Sequence, residues 1–262
     1  MGKKINRLIS GVTCLCMAAS MVGCASDGAD DPADGNNYDN LEVIMPDDVT
    51  VDTDVSVSPL KASVMNGGVF EGWGTSLCWW ANRIGYSDEL SQQAADLFFG
   101  DDGLRLNIMR YNIGGGDDPT HNHITRTDSD VPGWLVLDEE TGEYVYDYDA
   151  DAGQLNVLKR AVEAAGDEAI VEVFSNSPPY FMTVSGCSSG GFDPNIDNLK
   201  EDCFDDFAEY LAHVTNYIQN ELGIEVTSVS PMNEPNTNFW GANSYKQEGC
   251  HYDPGTSQSN MI

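Results

Sequence analysis

The chain has 262 residues, with 43 Asp and Glu against 12 Lys and Arg, for a formal net charge of −31. Such acidity excludes nucleic acid and an anionic membrane surface as partners. It suits a neutral polymer, and by itself it carries no information about fold.

The chain opens on a targeting pattern. Lys3, Lys4 and Arg7 precede an apolar stretch from Leu8 to Val22. That stretch is shorter than the ~18 residues of a spanning helix. It runs into Met21-Val22-Gly23-Cys24, which resembles the bacterial lipoprotein box, so Cys24 is the expected lipidated residue. An ordinary cleaved signal is the alternative. Either way residues 1–24 predict export, to the bacterial cell surface on a lipid anchor or into the medium. Residues 25–48 are rich in Asp, Gly and Asn and read as an acidic, disordered tether. Val49, Val51, Val55 and Val57 alternate with polar residues, and residues 49–65 are assigned to a strand segment of a side β-domain.

From residue 66 on, the pattern becomes strand, loop, helix, repeated. Val69–Leu77 is the first strand candidate. Ser87 caps a helix whose inward face is read as Leu90, Ala94, Leu97 and Phe98, and Gly100 ends it. Leu104–Ile113 is the second strand, followed by a polar insert to about Ala150 whose acidic run, Asp138–Asp151, reads as a solvated loop. Leu155, Leu158, Ala161, Val162 and Ala165 mark the second helix, stopped by Gly166. Ala169–Phe174 is a near-continuous apolar strand, as expected for one buried on both faces. Phe204, Phe207, Ala208, Leu211, Val214, Ile218 and Leu222 form a third helix, closed by Gly223; Ile224–Val229 is the fourth strand, and Thr256–Ile262 begins another helix. Alternating βα units mean a parallel sheet. A doubly wound sheet is the rival, but no Gly-rich phosphate loop opens any helix. The expected fold is therefore α/β, a (β/α)8 barrel of which residues 66–262 hold about the first four units.

The strand ends carry the chemistry. They read Gly72-Trp73-Gly74-Thr75-Ser76-Leu77-Cys78-Trp79-Trp80-Ala81, Arg110-Tyr111-Asn112-Ile113-Gly114-Gly115-Gly116, Ser175-Asn176-Ser177-Pro178-Pro179-Tyr180-Phe181-Met182, and Asn233-Glu234-Pro235 with Trp240 and Gln247-Glu248-Gly249-Cys250. The C-terminal edge of a barrel's strands is its active face. Aromatic rings there stack on pyranose faces, Asn and Arg bond hydroxyls, and a Glu protonates a glycosidic oxygen. Trp79, Trp80, Arg110, Asn112, Tyr180, Asn233 and Trp240 are the candidate sugar contacts, and Glu234 is the candidate acid/base. Arg110 in a structural ion pair and Trp79 and Trp80 as core aromatics are the competing readings. His121 and His123 stand close together, but no second ligand cluster supports a metal site. No metal and no cofactor is expected.

These four runs in this order resemble glycoside hydrolase family 30, a clan A barrel family, and are most similar to its endo-β-1,6-galactanase-like members. The resemblance covers about Phe70–Cys250. It implies a retaining glycosidase acting on β-1,6-linked galactan, with two glutamates. Glu234 matches the acid/base; the nucleophile follows the family's seventh strand, and nothing in these residues matches it. Glu248 lies on the loop after the fourth strand and is not taken as its substitute. The resemblance thus implies that Arg110 supports a nucleophile absent from this chain, that Asn233 bonds the 2-hydroxyl, and that the chain is truncated after the fourth strand and inactive alone. β-1,6-Glucan, xylan or glucosylceramide cleavage on the same fold, and a non-catalytic glycan-binding lipoprotein, are the alternatives. The expected partner is a neutral polysaccharide or oligosaccharide, with no nucleic acid and no membrane contact beyond the anchor.

Four cysteines remain beyond Cys14, Cys16 and Cys24. An even number in an exported chain predicts two disulfides, with Cys187–Cys203 and Cys78–Cys250 as the favoured pairs and free thiols as the alternative.

Overall fold

The computed structural model describes residues 69–120 and 123–261. The expected signal, the Cys24 anchor, the tether and the 49–65 strand lie outside them. The elements run β1 (Gly74–Ser76), α1 (Trp80–Ile84), α2 (Asp88–Phe98), β2 (Ile108–Asn112), β3 (Leu135–Leu137), β4 (Tyr144–Tyr146), α3 (Ala152–Ala165), β5 (Ile170–Phe174), α4 (Phe204–Asn220), β6 (Ser228–Ser230) and α5 (Ser257–Met261).

Four strands form one parallel sheet in the order β1-β2-β5-β6. Their register aligns Ser76 with Arg110, Arg110 with Glu172 and Glu172 with Ser228. Side chains alternate across a strand, so one face of the sheet carries Ser76, Arg110, Asn112, Glu172, Phe174, Ser228 and Ser230. The other carries Met109, Tyr111, Val171 and Val173, all buried against the helices. The strands are shorter than expected. Val69–Leu77 shrinks to Gly74–Ser76 and Leu104–Ile113 to Ile108–Asn112. Apolarity marks what is buried, whereas pairing needs a neighbouring strand in register. Leu104 and Leu106 instead give their amides to Leu97 and Phe98 at the end of α2.

Ser87 caps α2, its hydroxyl accepting from the Leu90 amide at 3.3 Å. Replacing such a cap with Ala costs about 1 kcal/mol. Ser87→Ala is expected to lower the unfolding free energy by that amount in a urea melt. The buried stripe of α2 differs from the expected one: Ser91 and Ala95 are fully buried, while Leu90 and Leu97 face solvent. α2 packs against α3, and α1 comes very close to α3 beside it. Gly85, at the end of α1, lies so near Gly153 that a Cβ on it would meet the Gly153 carbonyl oxygen at 2.1 Å. At that spacing small residues fit where leucines do not. Polar pairs cross the same contact, with Asn156 donating to Asp88 at 3.0 Å and Arg160 to Gln92 at 2.8 Å.

The polar insert after β2 holds more structure than its composition suggested. β3 and β4 pair as an antiparallel hairpin, Leu135 opposite Tyr146. Asp138 closes its turn by accepting from the amides of Glu140 and Thr141, and Gly142 takes φ +75°. The hairpin and the residues after it lie on α4 through stacked rings: Tyr146 on His213 at 3.7 Å and Tyr148 on Tyr217 at 4.4 Å. Offset stacks of this kind add about 0.5–1.5 kcal/mol beyond area burial. The acidic run is therefore not wholly solvated, and its last residue, Asp151, is 2% exposed.

Candidate active site

Glu234 stands just past β6, at the C-terminal edge of the sheet. Its backbone takes φ +48°, a left-handed conformation that a non-glycine residue adopts only under local constraint. The constraint is a turn around its carbonyl, which accepts from the Thr237 hydroxyl at 3.0 Å and the Trp240 indole at 3.3 Å. The side chain is left exposed to solvent. Next to it, the Asn233 amide donates to the Ser175 carbonyl at 3.0 Å, which ties the turn to the end of β5. The Asn233 side chain accepts from Arg110 at 3.3 Å.

Arg110 is the centre of the inner face. Its Nε donates to Glu172 at 2.5 Å, and its guanidinium lies 3.4 Å over the Phe174 ring. About 30% of each partner's side chain is exposed, so the pair faces open space rather than the core. The ion-pair reading of Arg110 is thus observed, with Glu172 as its partner. Glu172 is the carboxylate Arg110 neutralises, and Phe174, two residues on, is the last of β5.

Two tryptophans part company with the expectation. Trp80 gives its indole N–H to the Ser76 carbonyl at 2.8 Å and packs edge-on to Phe98 at 5.2 Å, so it is a core residue, not a sugar platform. Trp240 is 6% exposed and its ring lies on Gly249, where a Cβ would meet it at 2.2 Å. Its work is to hold the Glu234 turn. Trp79 remains half-buried at the face, with the Arg126 guanidinium 4.7 Å from its ring. Tyr180 meets the Tyr144 hydroxyl of the hairpin at 3.3 Å and donates its amide to the Gly115 carbonyl at 3.1 Å.

Asn112 is also corrected. It is fully buried, so it cannot meet a sugar in this arrangement. Its backbone exchanges two hydrogen bonds with the Gln154 side chain, at 2.9 and 3.0 Å, and its amide donates to Glu248 at 3.2 Å. Glu248, passed over in the sequence, is 1% exposed and accepts the Gly115 amide at 2.7 Å. The glycine run after β2 thus cradles a carboxylate from the chain itself. Burial pushes the Glu248 carboxyl up to about 8, against the opposing pull of the Gly115 and Asn112 hydrogen bonds. Behind it runs a buried polar network. Tyr111 donates to Asp151 at 2.5 Å, Gln154 to Asp151 at 2.6 Å, Trp134 to Tyr111 at 3.3 Å and Tyr210 to the Gly114 carbonyl at 2.6 Å. Burial raises Asp151 to about 7.

His123 has its ring nitrogens 3.0 Å from Asp117 and 2.9 Å from Ser189. His121 lies outside the described residues.

Neither expected disulfide is present: Cys78, Cys187, Cys203 and Cys250 are free thiols. Each has its own surroundings. Cys187 meets Asn243 at 3.6 Å, Cys203 meets Asp202 at 3.7 Å, and burial pushes Cys78 up to about 12 and Cys250 higher still. Even cysteine counting gives no information about which loops approach each other. Alkylation of the unfolded, unreduced chain is expected to label all four, with peptide mass mapping as the check.

A parallel sheet with Arg, Asn, Glu and aromatic side chains at its C-terminal edge has the layout of a (β/α)-barrel enzyme's active face. Residues 63–257 match the profile of O-glycosyl hydrolase family 30, and the chain belongs to that family, whose fold is a (β/α)8 barrel. It is 31% identical over 226 residues to an endo-β-1,6-galactanase of Hypocrea rufa, covering 78% of this chain and 44% of that protein. It is 31% identical over 226 residues to an exo-β-1,6-galactobiohydrolase of Bifidobacterium longum subsp. longum, covering 66% of this chain and 15% of that one. The chain therefore spans less than half the length of either. A conserved exported protein from Bacteroides fragilis superposes with a TM-score of 0.63 at 30% identity, over 73% of this chain and 39% of that structure. SrfJ from Salmonella typhimurium shares the fold at a TM-score of 0.51 and 18% identity, over 72% and 38%. No helix among the described residues is long and apolar enough to cross a membrane.

Proposed function

We propose that this chain supplies the acid/base half of a retaining glycoside hydrolase that cleaves β-1,6-linked galactan. The observation that carries it is the exposed Glu234 carboxylate, held on a constrained turn at the strand edge beside Asn233 and Arg110. The two galactan-cleaving relatives support the choice of sugar.

In the first step Glu234 gives its proton to the leaving glycosidic oxygen while a second carboxylate attacks the anomeric carbon. In the second, Glu234 takes a proton from water, which displaces that carboxylate. Retention needs the two carboxyls about 5–5.5 Å apart. Glu172 is held by Arg110 and sits inward of Phe174, so it is not assigned the attack. No described carboxylate is assigned the attack, and the chain spans less than half the length of the two galactan-cleaving relatives, so the reading assigns the nucleophile to the part of such a barrel that it does not span. Asn233 bonds the sugar's 2-hydroxyl, Arg110 lies ready to orient the incoming carboxylate, and Trp79 and Tyr180 offer ring surface. Residues 1–24 direct export, and Cys24 carries a lipid anchor.

Calorimetry with β-1,6-galactotetraose, its gluco counterpart and xylotetraose tests the reading, beside an assay for released sugar. The 262-residue chain is expected to bind the galacto-oligosaccharide best and release nothing. Robust turnover by this chain alone would overturn the division of the two carboxylates. Preference for another sugar would overturn the galactan assignment.

A further inference from the structure

The turn that carries Glu234 rests on the segment leading into α5. Three groups of that segment reach it. The Tyr252 amide donates to the Pro235 carbonyl at 3.0 Å, and the Gln258 side chain donates to Asn236 Oδ1 at 2.6 Å. His251 Nδ1 lies 2.8 Å from the Thr237 carbonyl oxygen. Thr237 closes the turn itself, its amide and hydroxyl both donating to the Glu234 carbonyl, at 3.3 and 3.0 Å. One residue therefore separates His251 from the backbone of the acid/base. Glu234 is in the left-handed region, and such a conformation persists only where its surroundings over-determine it.

The partners of the His251 ring show where its hydrogen belongs. The Thr237 carbonyl can only accept, so Nδ1 is the donor. A ring turned over would put a carbon 2.8 Å from that oxygen, well inside the about 3.3–3.6 Å of a C–H···O contact. The other nitrogen, Nε2, lies 3.1 Å from Asp253, whose side chain is 41% exposed. That carboxylate has water to turn to. Nδ1 and the Thr237 oxygen, 2.8 Å apart, leave no room for water between them, and the His251 side chain is only 10% exposed. A ring with a single hydrogen therefore keeps it on Nδ1, and the bond to Thr237 holds in the neutral and the charged ring alike. The loop after β5 fixes the backbone here, the Asn198 amide donating to the His251 carbonyl at 3.1 Å.

We propose that His251 is a positioning residue for the acid/base: its Nδ1–H holds the Thr237 carbonyl and so fixes where the Glu234 turn presents its carboxyl. The effect on catalysis rests on the proposed function of Glu234; the hydrogen on Nδ1 does not.

Two measurements keep these apart. Nitrogen-15 spectra of the histidine rings in this chain, followed to alkaline pH, locate the hydrogen on the neutral His251 ring. It is expected on Nδ1. A hydrogen on Nε2 would overturn the proposal whether or not any enzyme activity exists. The second measurement compares kcat/KM on β-1,6-galactan and on β-1,6-galactobiosyl fluoride, in the protein where these residues meet their nucleophile. Fluoride leaves with little need of a proton, so a misplaced general acid harms the two substrates unequally, whereas a general loss of structure harms them alike. His251→Ala is expected to lose about 10²-fold on galactan, the scale of a misplaced catalytic group, and to keep most of its rate on the fluoride. His251→Asn, whose Nδ2 takes the place of Nδ1, is expected to restore most of the galactan rate. An equal loss on both substrates, or a folded Asn variant as poor as Ala, would end the proposal. If Ala fails to fold, the ring spectra and the Asn variant still decide it. A parent inert towards galactan would sink the proposed function and with it the catalytic half of this inference, and the Nδ1–H would stand or fall on the spectra.

Discussion

Replacing Glu234 with Ala is expected to cut hydrolysis of β-1,6-galactan by about 10²–10⁴-fold, the usual worth of a general acid. The measurement is made in the protein where these residues meet their nucleophile. A galactan linkage leaves as an alkoxide unless it is protonated, so the polymer takes the full loss. An aryl galactoside with a good leaving group needs little protonation, and its first step is expected to suffer far less. Its second step still lacks a base, so the covalent intermediate accumulates. Azide needs no base to attack, and it is expected to rescue the variant with formation of a β-galactosyl azide. A variant that cleaves galactan at the parent rate, or an equal loss on both substrates with no rescue, would remove Glu234 from the role. The geometry makes the variant a clean test. The Glu234 carbonyl, not its side chain, holds Trp240 and Thr237, so truncating the side chain leaves the turn's bonds in place.

The second large effect is on stability. The chain is expected to lose stability steadily from pH 5 to pH 8. Asp151 and Glu248 are both buried, with ordinary values of 3.8 and 4.5 raised to about 7 and about 8 in the fold. Each binds its proton more tightly folded than unfolded. The stability this gives is complete below the ordinary values and is lost as pH rises through about 7 for Asp151 and about 8 for Glu248. Within that window each group contributes a slope of up to about 1.4 kcal/mol per pH unit. Urea melts at pH 5, 6, 7 and 8 measure it, and Glu248→Gln is expected to remove Glu248's share of the slope. Stability that rises from pH 5 to pH 8 would mean that these carboxyls are ionised in the fold. The high negative charge of the chain works in the same direction, since self-repulsion grows as the last acids ionise. Repeating the melts in salt separates the two. Screening weakens surface repulsion but hardly reaches buried groups.

The order of βα units was legible because the helix stops are written in glycine. Gly166 and Gly223 take φ +61° and +68° where the second and third predicted helices end, and Ser87 caps the first. The family was legible for a different reason: the chemistry of a barrel lies in short runs at strand ends, and those runs are contiguous in sequence. What depends on distant approach was hidden. The inward stripe of α2 reads from hydrophobicity as Leu90, Ala94, Leu97 and Phe98, whereas the fully buried residues are Ser91 and Ala95, Ser91 with its hydroxyl on the Ile84 carbonyl of α1. The hairpin at 135–146 was read as loop because acidic residues surround it, although Tyr144-Val145-Tyr146 has the alternation of a strand. Glu248 reads as a loop residue and Asp151 as part of a solvated run, because nothing local reveals that their partners are Gly115, Asn112 and Tyr111. Trp240 reads as a sugar platform in the sequence because an exposed ring and one laid on Gly249 have the same sequence signature.

The most direct test of the central claim is the first sugar released. β-1,6-Galactan is mixed with the protein in which these residues meet their nucleophile, and the new reducing ends are followed by proton NMR before they mutarotate. The account predicts β-1,6-galacto-oligosaccharides appearing first as the β-anomer, and none from the Glu234→Ala variant without azide. First appearance of the α-anomer would contradict the two-carboxylate retaining mechanism. Cleavage of β-1,6-glucan or xylan with galactan left intact would contradict the substrate.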